Sequence, residues 1–277
     1  MAPQRIVTGG SDPSVDGALI AWHIPRQPGV LVRDGKWTRV PGTHPALGGA
    51  RIAIYDGSAI QVRETSGPRF AAAVPAPGAD AIAVSARFVA WRAHSSDGDA
   101  IFVAALAGGA PRRIAASKEL GRPALEGSRL AYHVPGRRWC RIVIADVETG
   151  KKTTVRRERR ALLLNPSLHG GRLLYVRNMY KHQELRIGPQ AKHRTTRDRR
   201  LWSMPPTGRR DAGHDPGKEH HKHGWPKKLW KRPKAGLSAT LWTTAMNADD
   251  AYVTLLRQVA GRPLEVAILR VERRPLV

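Results

Sequence analysis

The sequence predicts an all-β fold, a six-bladed β-propeller of four-stranded antiparallel blades whose ring is closed by the N-terminal strand. Three observations lead there. A short unit of Pro, apolar residues, a Gly turn and an aromatic-tipped apolar run recurs along the chain. Its copies are spaced at about one blade each. One leftover strand stands at each end of the chain, and the two complete a single blade.

The unit is clearest at Pro123-Ala124-Leu125-Glu126-Gly127-Ser128-Arg129-Leu130-Ala131-Tyr132 and at Pro166-Ser167-Leu168-His169-Gly170-Gly171-Arg172-Leu173-Leu174-Tyr175. Earlier copies run from Pro13 through Gly17 to Trp22 and from Pro45 through Gly48 and Gly49 to Tyr55, with weaker ones ending at Trp91 and Tyr252. The Pro-led segment is extended, the Gly permits a turn at positive φ, and the apolar run that follows is a buried strand. Two more strand-like runs follow each copy, as in Arg141–Ala145 and Lys152–Arg156 around the turn Glu148-Thr149-Gly150. Four strands make one blade.

Anchors at 22, 54, 90, 132 and 175 lie 32, 36, 42 and 43 residues apart, near the blade period of roughly 40. The next, Tyr252, is 77 residues on, one blade plus a surplus, so the count is six with an insertion in the fifth. The final blade is one strand short, and Arg5-Ile6-Val7 is a spare that would fill the open edge. The whole chain, 1–277, is therefore one domain, with a basic insertion over 189–236.

The Pro-Ser/Ala-Leu-x-Gly-x-Arg-Leu-x-Tyr unit, with its apolar strand and Gly turn, resembles the repeat of TolB-like propellers, the WD-repeat-like blades of exported bacterial proteins. The usual Trp-Ser-Pro-Asp-Gly form is replaced here by Pro-Ala-Leu-x-Gly. The resemblance implies fold far more than function, since propellers host many unrelated activities.

Charge is the other strong signal: 47 Lys and Arg against 22 Asp and Glu, formally +25. Such a surplus concentrates any polyanion, whether nucleic acid, anionic lipid or cell-wall polymer. The single Cys140 rules out an intramolecular disulfide and reads as a buried structural thiol. No stretch reads as a membrane span, because the most apolar region, 70–91, is broken by Pro75, Pro77, Gly78 and Asp80. The first residues carry no apolar leader, and the abrupt start at Arg5 matches a mature exported domain. An extracytoplasmic location is therefore expected, with a cytoplasmic one as the alternative.

From about Lys181 to Lys234 the chain holds sixteen Lys and Arg against five acids, and six of the eleven His. Lys192, Arg194, Arg197, Arg199, Arg200, Arg209 and Arg210, with Trp202 and Trp225, are the candidate contacts for a protein or an anionic polymer, since basic residues interleaved with Trp can track a phosphate backbone and stack bases. His214, His220, His221 and His223 are candidate metal ligands, but no Cys or carboxylate framework accompanies them and their basic neighbours repel a cation. The plainer reading is a solvated loop over one face of the ring, with its Trp residues pinned to the propeller.

Catalytic signatures are missing: no G-x-S-x-G, Walker loop, H-E-x-x-H or G-x-G-x-x-G occurs. Ser95-Ser96-Asp97-Gly98-Asp99 has calcium-like letters but reads as a hairpin turn. The expectation is a non-catalytic, monomeric binding scaffold without a cofactor. The alternatives are a propeller enzyme (a lyase or hydrolase) with its site in the central channel, or a nucleic-acid-binding protein. Inward His, Asp or Glu at the inner-strand ends would favour the enzyme. An inner ring of small and apolar residues would favour the scaffold.

Overall fold

A computed structural model describes residues 4–24, 27–33, 36–67, 70–136, 139–179, 182–192, 194–204, 238–258 and 265–272. These form six four-stranded antiparallel sheets. Blade one is β2 (Ser11–Asp16), β3 (Leu19–Ile24), β4 (Gln27–Arg33) and β5 (Lys36–Arg39). Blade two is β6 (Thr43–Gly48), β7 (Arg51–Tyr55), β8 (Ala59–Glu64) and β9 (Phe70–Pro75). Blade three is β10 (Ala79–Val84), β11 (Phe88–Ser95), β12 (Gly98–Ala105) and β13 (Arg112–Ser117). Blade four is β14 (Ala124–Glu126), β15 (Arg129–Val134), β16 (Cys140–Asp146) and β17 (Lys152–Glu158). Blade five is β18 (Ala161–His169), β19 (Arg172–Met179), β20 (Gln183–Pro189) and β21 (Arg199–Met204).

Blade six closes the ring as expected. Its β22 (Ser238–Met246), β23 (Asp250–Gln258) and β24 (Glu265–Glu272) are completed by β1 (Gln4–Thr8), which pairs antiparallel with β24. That pairing covers an edge that would otherwise offer unpaired backbone groups to another chain. The inner strands contact one another in the closed order β2, β6, β10, β14, β18, β22 and back to β2.

The repeat maps onto this plan. Gly17, Gly127 and Gly170, with φ of +56°, +58° and +55°, sit in the turn between the first two strands of their blades, a left-handed backbone that Gly adopts without the strain a Cβ brings. Trp22, Trp91, Tyr132, Tyr175 and Tyr252 are buried. Tyr55 departs from the pattern. In blade two the equivalent buried position is Ile54, because Ala53 pairs Ala46 as Ala21 pairs Ser14, and Tyr55 lies one residue further on with its hydroxyl donating to the Gly57 carbonyl.

The core consists of wedges between blades. Val15 and Trp22 of blade one pack with Ala245, Tyr252 and Ile268 of blade six, so the closing seam has an apolar wedge of its own. The largest wedge joins blades four, five and six around Leu163, Leu174, Tyr175, Leu241 and Val253. Ser95 pairs Gly98 across a tight β11–β12 hairpin, which is the turn expected there.

The segment expected as a loop insertion divides in two. Residues 199–204 form β21, the outer strand of blade five, paired with β20. The run reads as loop in sequence because two of its six residues are Arg, yet an outermost strand faces solvent and tolerates them. Residues 205–237 lie outside the described residues.

Candidate functional site

Strand direction alternates within each blade, so all six inner strands begin on one face of the ring. Five of the six carry an irregularity near that face. Bulges fall between Ser11 and Ser14, Thr43 and Ala46, Ala79 and Ala81, Leu164 and Ser167, and Leu241 and Thr244. They carry Asp12, His44, Asp80, Asn165 and Thr243, while Arg122 stands just ahead of the short β14. Bulges re-aim side chains and are enriched beside binding and active sites. Asp12, His44 and Asn165 have φ of +55°, +49° and +40°, each just before a Pro, a strained state for residues with a Cβ.

These six positions form the channel mouth. Arg122 Nη1 reaches 2.7 Å to Asp12 Oδ1, joining blade four to blade one across the ring. The Arg122 amide donates to Asn165 Oδ1 at 3.3 Å, and the Asn165 amide donates to His133 Nδ1 at 2.9 Å. The Asp12 amide donates to Thr254 Oγ1 at 3.3 Å, and that hydroxyl is 2.6 Å from Thr243 Oγ1. Asp80 is held by a two-pronged Arg92 pair at 2.8 and 2.6 Å. The rings of His23 and His44 stack 4.1 Å apart.

Burial depresses both imidazoles. His44 falls to about 4 through burial and then the neighbouring His23, and His23 is lowered chiefly by burial against the opposing pull of Asp12. Both are neutral at pH 7, and His44 Nδ1 is buried without a hydrogen-bond partner among the described residues. Beneath the mouth lies a cavity of about 80 Å³, lined by residues of all six blades including Ser14, Leu47, Val84, Ala124, Ser167 and Thr244. That is room for roughly five waters. The wall is thus small, apolar and hydroxylic, while the mouth carries His and Asp. The two features that were to separate scaffold from enzyme occur together. The arrangement offers neutral donors and acceptors around ion-paired carboxylates, which suits holding a small polar group.

A second polar assembly joins blades four and five. Fully buried Arg156 makes a two-pronged pair with fully buried Asp198 at 2.6 and 2.8 Å, and Tyr175 donates to the same carboxylate at 2.5 Å. Gly188 leaves the space, since a Cβ there would collide with Asp198 and Arg156. Arg156 also donates to the carbonyls of Pro189 and Ala191. The connection between β20 and β21, with its 3₁₀ turn Thr195–Arg197, is thereby folded against β17, where Thr195 Oγ1 donates to Glu158.

Of the residues read from sequence, Lys192, Arg194, Arg197 and Arg200 are exposed and Arg199 is half-buried. Arg200 lies 3.7 Å from Glu184, and Trp202 packs against the largest core wedge. Arg209, Arg210, Trp225, His214, His220, His221 and His223 lie outside the described residues. No group of three or more His, Cys, Asp or Glu that could hold a metal occurs among the described residues. No helix among them is long and apolar enough to cross a membrane. The mouth residues were overlooked in sequence although a signal existed: Asp12, His44, Arg122 and Asn165 are the polar residues directly before the repeat prolines.

No family model and no curated protein sequence matches the chain. Among solved structures, a putative TolB from Agrobacterium tumefaciens is 10% identical with a TM-score of 0.50, the match covering 93% of this chain and 98% of that one. This chain is a TolB-like propeller in fold. Acylaminoacyl peptidase from Pyrococcus horikoshii is 11% identical with a TM-score of 0.52, over 97% of this propeller and 46% of the peptidase. TolB from Acinetobacter baumannii is 12% identical with a TM-score of 0.49, over 89% and 60%. The propeller thus spans less than two thirds of two of these three chains, and the likeness bears on the fold alone.

Proposed function

We propose that this TolB-like propeller is a non-catalytic binding scaffold for a polyanionic or protein partner, acting outside the cytoplasm. The observation that carries the reading is the distribution of its charge. Five of the acids are taken up by arginines within the fold: Asp198 by Arg156, Asp80 by Arg92, Asp12 by Arg122, Glu64 by Arg51, and Glu184 by Arg177 and Arg186. Among the described residues, Arg157, Arg159, Arg160, Lys192, Arg194, Arg197 and Arg200 stand exposed, where they raise the local concentration of anions and speed their association. Candidate contacts include Lys192, Arg194, Arg197 and Arg200. The extracytoplasmic setting rests on the resemblance of the repeat to exported TolB-like propellers, and fractionation of cells expressing the full gene tests it.

The reading is tested by titrating the protein against heparin, poly-glutamate and an oligonucleotide over a range of salt. Binding that weakens linearly in log–log form with salt is expected. Absence of binding to all three at low salt would refute it. A second reading, an enzyme acting at the channel mouth, is favoured by strained His44 and Asp12 beside neutral His23. It predicts turnover of a small polar substrate that is abolished by Arg122→Ala.

A further inference from the structure

We propose that the rim of blades four and five, on the channel-mouth side, binds single-stranded nucleic acid. The proposal rests on reading the chain as a binding propeller and names the partner's chemistry. Arg141 of β16 and Arg157 of β17 are cross-strand partners, and both are exposed. Like charges directly opposite on one sheet face destabilise it. An anion laid across the pair turns that repulsion into attraction. The neighbouring Arg156 points the other way, into the core, so the alternation of β17 sends one arginine to structure and the next to the surface.

The Arg157 guanidinium lies 4.1 Å over the ring of Trp139, which is 37% exposed. A guanidinium stacked on an exposed indole is a flat, positively charged platform, the surface on which an unpaired base stacks while its phosphate meets the surrounding arginines. Arg159 and Arg160 follow at the strand end, both exposed. Glu158, the acid between them, is taken up by Arg177 at 3.1 Å and by the Thr195 hydroxyl. That last bond brings the 3₁₀ turn, and with it the exposed Arg194 and Arg197, to the same edge. The rim is thus a run of arginines around one aromatic. An acidic protein would use the charge and leave the stacking platform idle. A duplex keeps its bases paired and out of its reach.

Fluorescence anisotropy of a labelled oligothymidylate over a salt series tests this. Arg159→Gln with Arg160→Gln should weaken binding and make the log–log salt slope shallower by about 1.4, or 0.7 for each lost phosphate contact on a single strand. Lys36→Gln with Arg39→Gln, the same charge change on the opposite side of the ring, should leave the slope nearly as it was. Trp139→Leu should weaken binding roughly five- to a hundredfold with an unchanged slope. Thermal melts establish that each variant is folded.

Equal slope changes in the two double variants would overturn the proposal, because the charge would then act diffusely. It is overturned equally by an inert Trp139→Leu, or by poly-glutamate displacing the oligonucleotide as well as unlabelled oligothymidylate does. Binding that ignores every rim variant fails the rim alone. Absence of binding to any polyanion fails the scaffold reading beneath it.

Discussion

Replacing Asp198 by Ala removes the only carboxylate among the described residues that meets the buried Arg156 at hydrogen-bond distance. In the native fold the guanidinium has no solvent exposure and donates twice to Asp198, with its remaining bonds to the carbonyls of Val155, Pro189 and Ala191. Those carbonyls satisfy hydrogens but do not neutralise charge. Removing one partner of a buried pair costs about 3–5 kcal/mol, chiefly because the other charge stays buried and uncompensated. For a domain of this size each kcal/mol shifts the melting midpoint by about 2–4 °C, so Asp198→Ala should lower it by roughly 6–20 °C. Urea unfolding followed by circular dichroism measures the free energy directly. Asp198→Asn keeps the shape and one acceptor and should cost less. Arg156→Met combined with Asp198→Leu should cost less than the two single changes summed, since neither then leaves a lone charge. A loss below about 1 kcal/mol for Asp198→Ala would show that the segment after β20 is not held by this pair, contrary to its burial.

Deleting residues 1–9 removes β1 and bares the edge of β24; a loss of about 2–5 kcal/mol from the lost ladder, with concentration-dependent association by light scattering, is expected. His44 has a folded pKa of about 4 against an ordinary 6.5. The unfolded chain therefore binds the proton first, and stability should fall as pH drops from 6.5 towards 4, by up to about 3 kcal/mol. His44→Asn, which tolerates the positive φ, should flatten that limb of the melting-temperature profile; an unchanged profile would contradict the burial. Burial pushes the Cys140 thiol up to about 12, so Ellman's reagent should react with it only on unfolding, and rapid native labelling would refute its placement.

The fold was legible because its signals are local. A Gly five residues before an aromatic, a Pro nine before it and a blade-length period are all read from adjacent residues, and Gly127 and Gly170 take the turn geometry that the spacing requires. The closing strand was legible by arithmetic alone. The site was less so. Arg122 and Asp12 are 110 residues apart and meet only because blades one and four face each other across the ring. Arg156 and Asp198, 42 residues apart, likewise meet only through folding, and with Asp198 unseen as an anchor the run 189–204 reads as a loop. The polar residue before each repeat Pro was visible, but nothing in its neighbours shows that a bulge turns it towards the channel.

The same scarcity of acids shapes both the stability and the surface of this propeller. A chain with 22 acids and 47 bases cannot pair its charges evenly, so where the acids go decides where positive charge is displayed. Where blades four and five meet, three of them are drawn inward or into pairs, with Asp198 and Glu184 buried and Glu158 drawn to Arg177 and Thr195. Arg157, Arg159, Arg160, Arg194 and Arg197 are exposed around them. Exposed pairs contribute little to stability, so neutralising rim arginines should cost less than about 0.5 kcal/mol each and could raise stability by easing mutual repulsion. Asp198→Ala should do the reverse, costing stability heavily while releasing the 3₁₀ turn that carries Arg194 and Arg197. Rim neutralisation that destabilised the fold as strongly as Asp198→Ala would mean that the surface arginines are structural, and the separation drawn between a buried ionic frame and a displayed basic edge would fail.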